Sequence, residues 1–129
     1  MQLPAHILSS AETNALEARE FVEWCAQTGM TALEASNAFA LQIARDYIDG
    51  QIGYVFCGRV MNSIMSAVTT EEFLSVSDRT VPEQLKSVYL AFDAGEYIHA
   101  EDSPEDNQES KYTRPMILSL LKRRLSSEA

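Results

Sequence analysis

Apolar residues recur at three- and four-residue spacing along most of this chain, and polar residues, glycine or proline break the runs. Such spacing marks helices with one buried stripe. Ser9 and Glu12 stand at the capping-box distance, which predicts a helix from about Ser10 to Thr28. Leu16, Phe21, Val22, Trp24 and Cys25 supply its apolar side, and Gly29 stops it. Thr31 and Glu34 repeat the box ahead of a second helix, in which Phe39, Ile43 and Tyr47 form a stripe that ends at Asp49-Gly50. A third helix spans about Gly53 to Val68, with Phe56, Val60, Met61, Ile64, Met65 and Val68 inward. Thr69 and Glu72 predict a further box and a short helical turn. Pro82 suits the first position of a fourth main helix carrying Leu85, Val88, Tyr89 and Phe92 to Gly95. A last helix follows Thr113 as cap, with Pro115 in its first turn and Met116, Ile117, Leu120, Leu121 and Leu125 on its apolar side.

These elements predict one all-α domain over residues 1–129, an antiparallel bundle of four to five helices with an acidic loop at about 99–112. Five glycines and four prolines are too few for a turn-rich β fold. A hydrophobic content of 46% supplies a core.

Charge changes the functional picture. Nineteen acids against ten bases leave a net −9. That field repels phosphate backbones and anionic membrane surfaces, so neither nucleic acid nor membrane is an expected partner. It steers a basic protein inward. Cys25 and Cys57 lie in helical apolar surroundings and read as buried thiols. The N-terminus lacks the basic and apolar regions of a secretory signal, and no stretch has the ~20 apolar residues of a membrane span. The expected location is the cytoplasm.

The chemical motifs fail on physical grounds. "GYVFCGRV", Gly53 to Val60, resembles a phosphate loop, but Arg59 and Val60 replace the lysine and the hydroxyl that loop needs. "DSPEDNQE", Asp102 to Glu109, has Pro104 and Asn107 where a calcium loop needs a ligand and a glycine. His6 and His99 are the only histidines, and neither belongs to a recognisable triad or zinc helix. No catalysis, cofactor or metal is expected. Met61, Met65 and Met116 read as core at their helical spacing, and Trp24 reads as buried.

What remains is the stretch from Phe92 to Pro115, with seven acids between Asp93 and Glu109 and no base before Lys111. One reading is a solvated, self-repelling loop. The other is a partner-binding patch of Asp93, Glu96, Glu101, Asp102, Glu105, Asp106 and Glu109, framed by Tyr97 and Tyr112. Carboxylates around aromatic anchors suit capture of a basic protein surface.

The layout resembles that of small acidic bacterial immunity proteins of the colicin D type. "IARDYIDGQIGYVFCGRVMNSI", Ile43 to Ile64, resembles that family's helix, polar turn and second helix. Leu85 through "AFDAGEY" to "MILSLLKR" resembles its helix, acidic segment and closing helix. The N-terminal helix lies outside the likeness. The resemblance implies a bacterial, non-catalytic inhibitor that covers the basic active site of a toxin or nuclease. Two other readings stand beside it. One is a structural or regulatory bundle that self-associates or binds another helical protein. The other is an enzyme or small-ligand protein without a recognised motif.

Overall fold

The computed structural model describes residues 1–96, 99, 101–103 and 106–128, with backbone alone for 124–128. Among the described residues every regular element is a helix, and there is no strand. In chain order the helices are α1 (Ala5–Glu12), α2 (Ala18–Gln27), α3 (Ala32–Ile48), α4 (Tyr54–Val68), α5 (Glu71–Leu74) and α6 (Glu83–Ala94). A π-helical segment, Glu109–Thr113, then leads directly into α7 (Arg114–Glu128).

The N-terminal region departs from the single helix expected over Ser10 to Thr28. It forms two helices with a link at residues 13–17. The Thr13 hydroxyl donates to the Ser9 carbonyl (2.9 Å), and Asn14 takes a left-handed φ of 59°. Asparagine tolerates that conformation because its short polar side chain finds local partners. Ser9 is therefore inside α1 rather than its cap, and Glu12 reaches across to Arg59 of α4 (3.4 Å).

The Thr31–Glu34 capping box forms in full. The Glu34 amide donates to the Thr31 hydroxyl (3.1 Å), and the Thr31 amide donates to the Glu34 carboxylate (3.2 Å). The next cap lies one residue beyond the expected Thr69, because the Thr70 hydroxyl accepts from the Phe73 amide (3.3 Å). Pro82 occupies the cap position of α6. The α6 start is further satisfied from outside, since the Leu85 amide donates to the Asn37 side chain of α3 (3.1 Å).

Helices α3 and α4 both pack on α6, and α1 lies on α4. The stripe Phe39, Ile43 and Tyr47 is buried, as are Val60, Met61, Ile64 and Val68. Each fully buried large apolar side chain contributes about 1.5–3 kcal/mol before entropy is counted. Aromatic residues gather at two places in this core. Phe21, Trp24, Phe39 and Phe73 form one cluster, with Phe21 and Phe39 edge-to-face at 5.9 Å. Tyr47, Tyr54 and Phe92 form the other, with Tyr47 edge-to-face on Phe92 at 5.1 Å.

Helix α7 also differs from expectation. Thr113 does not cap it, because the helical path begins before Thr113, in the π-helical segment. Its buried hydroxyl instead donates to the Ala91 carbonyl (2.7 Å), fastening the start of α7 to the end of α6. Ile117 and Leu120 are buried, whereas Met116 stands 41% exposed rather than in the core. The Leu125 side chain lies outside the described residues.

Candidate functional site

The acidic stretch lies between α6 and α7, next to the Tyr47–Tyr54–Phe92 cluster. Gly95 closes α6 where no side chain fits. A Cβ there would run into the Thr113 hydroxyl and stand 2.7 Å from the Tyr54 hydroxyl. The Tyr54 hydroxyl donates to the Phe92 carbonyl (2.9 Å), satisfying a last-turn carbonyl of α6. Tyr47 donates to the Glu109 carboxylate (2.5 Å), and the Arg114 guanidinium lies 6.0 Å from the Tyr47 ring centre. Burial, then the Glu109 carboxylate, raise the Tyr47 phenol above its ordinary range.

Asp102 is the hub of the loop. Its side chain is shielded from solvent although the residue sits in a surface loop. It accepts from the Tyr112 hydroxyl (2.6 Å), the His99 amide (2.8 Å) and the Gln108 amide group (3.4 Å), and it pairs with the Lys111 ammonium. Desolvation alone would raise its pKa. The bonds from Lys111, Tyr112, the His99 backbone and Gln108 outweigh it and hold the carboxyl well below the usual range. Asp106 takes the Ser103 amide (2.9 Å) and the same lysine (3.2 Å), which in that order lower its pKa too. Lys111 is correspondingly raised by Asp102 first and Asp106 second. The His99 ring lies on Tyr112 with centres 3.9 Å apart, and its Nε2 is 2.9 Å from the Ala94 carbonyl.

The nine sequence-predicted contact residues thus divide. Asp102, Asp106 and Tyr112 surround Lys111, and Glu109 turns to Tyr47. Asp93 is half-buried on the last turn of α6, while Glu96 and Glu101 are exposed. Among the described residues, none of these three has a cation within 4 Å. Glu96 lies over Gly58 of α4, whose missing side chain leaves it room: a Cβ there would stand 3.0 Å from Glu96 Oε1. Partial burial, then Asp93, raise the Glu96 pKa. Tyr97 and Glu105 lie outside the described residues.

Sequence reasoning missed Lys111 as the centre of the loop and Tyr47 and Tyr54 as its anchors. The one available signal for Lys111 was its position as the first base after seven acids. Elsewhere, Gly53 to Val60 form the cap and first turns of α4, and the Cys57 amide closes the first helical bond onto the Gly53 carbonyl (3.0 Å). Cys25 and Cys57 are free and buried, and burial pushes their thiols up to about 11 and about 12. Among the described residues, no three His, Cys, Asp or Glu side chains gather as metal ligands would. No described helix is long and apolar enough to cross a membrane.

Comparisons with protein-family models, curated proteins and solved structures find no match. The fold and the site themselves define a class: a chain whose described regular elements are all helices, with Asp102 and Asp106 of its acidic stretch tied onto Lys111.

Proposed function

We propose that this protein is a non-catalytic binding module, an antiparallel helical bundle that captures a basic protein surface through Asp93, Glu96 and Glu101. The observation that carries this reading is the division of the acids. Asp102 and Asp106 are spent inside the loop on Lys111 and Glu109 on Tyr47, whereas Asp93, Glu96 and Glu101 form no ion pair among the described residues. A loop already tied in place loses less entropy on binding than a free one, so preorganisation favours affinity. Unpaired outer carboxylates steer a basic partner and speed its capture. A basic toxin or nuclease, as the immunity-type layout implies, is the partner class that fits this charge.

Affinity capture from native cells tests the proposal. The wild-type chain is expected to enrich a basic protein, identified by mass spectrometry. A chain carrying Asp93→Lys, Glu96→Lys and Glu101→Lys is expected to lose it. Equal enrichment by both chains would remove the outer carboxylates from recognition.

A further inference from the structure

Helix α7 leaves apolar surface uncovered, and the surface has a definite layout. The Thr113 bond to Ala91 sets the start of α7 at the end of α6. Farther along α7, Arg123 shares the lining of a hollow with Glu83 at the start of α6. The two helices therefore pass each other in opposite directions with a groove between them. Two hollows, of about 420 and 370 Å³, share Ser87, Leu120 and Arg123 and so form one groove. At one end Leu90 of α6 faces Met116 of α7, and these are 45% and 41% exposed. At the other end an acid on α6, Glu83, stands opposite a base on α7, Arg123. Among the described residues neither forms an ion pair.

We infer that this groove is the contact face for a second copy of the same chain. A two-fold axis running along the groove lays α6 of each copy on α7 of the other. Leu90 then meets Met116 of the second copy, and Glu83 meets Arg123 of the second copy. Both matches occur twice, and each level of the groove is complementary to itself under that rotation. Charge complementarity is what selects a second copy over a foreign helix: Glu83 and Arg123 each find their opposite on an identical molecule. The apolar contact supplies the association, and the paired charges fix its register.

Sedimentation equilibrium of the full chain, from micromolar to submillimolar concentration, reads this directly. The mass is expected to rise from 14.4 kDa toward twice that value. Leu90→Ser and Met116→Ser change exposed side chains, so each should keep the helical circular-dichroism spectrum and weaken the dimer at least tenfold. Glu83→Arg and Arg123→Glu should each weaken it severalfold, and the two together should restore it. A mass of 14.4 kDa at every concentration overturns the inference, including when the chain binds some other helix. So do serine variants that associate like wild type, or a double exchange no better than either single one.

Discussion

The two aromatic clusters do different work with similar side chains. Around Phe21, Trp24, Phe39 and Phe73 the contacts are ring on ring, and Phe21, Phe39 and Phe73 are fully buried. Around Tyr47, Tyr54 and Phe92 the rings also pack edge-to-face or tilted, but the hydroxyls reach out of the cluster. One takes the Glu109 carboxylate and the other the Phe92 carbonyl. The first cluster is a source of burial energy. The second spends part of its burial on placing the chain as it leaves α6 and enters α7, which is where the acidic loop is held. Stability and site placement are thereby separated within one core.

That separation predicts an ordered series of effects. Phe39→Ala empties the dry cluster and is expected to destabilise by about 3–5 kcal/mol, read from urea unfolding. Gly95→Ala drives a methyl group into the Thr113 and Tyr54 hydroxyls, and overpacking of that kind costs about 1–3 kcal/mol. Its loss should come with displaced loop resonances, whereas Phe39→Ala should leave the loop pattern intact in the folded fraction. Tyr47→Phe removes one donor to Glu109 and should cost about 1 kcal/mol in the same unfolding experiment. Comparable loop disturbance by Phe39→Ala would erase the distinction between the clusters.

The clamp itself should move global stability little, because the Lys111 ammonium is solvent-accessible and the shielded Asp102 carboxylate keeps its bonds from Tyr112, the His99 amide and Gln108 when the lysine is removed. Lys111→Met is expected to leave the unfolding midpoint near wild type while speeding amide exchange at His99 and Ser103, whose amides donate to Asp102 and Asp106. pH should act at the same place. The folded pKa of Asp102 is depressed, so its contribution is complete above the ordinary Asp value of 3.8 and fades as pH falls below it. The Lys111 pKa is raised, so its contribution is complete below 10.5 and is lost as pH climbs past that value. Loop protection should therefore be flat between those limits and drop on both sides. Protection at His99 and Ser103 that survives unchanged at pH well below 3.8 would contradict the assigned bonds.

What could be read in the sequence was what is local. The Thr31–Glu34 box needs only three residues of spacing, and glycine at 29 and at 50 stops helices with positive φ as glycine does. The break at Asn14 was hidden because apolar residues continue on both sides of it, and asparagine carries a weaker stop signal than glycine. Thr113 was misread for a related reason: a threonine before a proline looks like a cap, and only the fold brings it against Ala91. The candidate site was legible as composition and opaque as geometry. Seven acids announce a negative loop, but the sequence does not say which ones face inward. Asp102 and Lys111 are nine residues apart, and their meeting depends on the π-helical segment at Glu109–Thr113 and on Tyr112 lying against His99. The exposure of Met116 was equally hidden, since helical spacing names a stripe without saying whether a neighbour covers it.

The most direct test of the central claim is the association rate of the captured basic partner, measured by stopped flow at low and high salt. Wild type should bind fast at low ionic strength and slow down as salt is added, because exposed carboxylates act through a screened field. The Glu96→Lys, Glu101→Lys chain should start at least about tenfold slower, with the gap closing as salt rises. Equal rates for the two chains at low salt would contradict the account, because the outward carboxylates would then play no part in recognition.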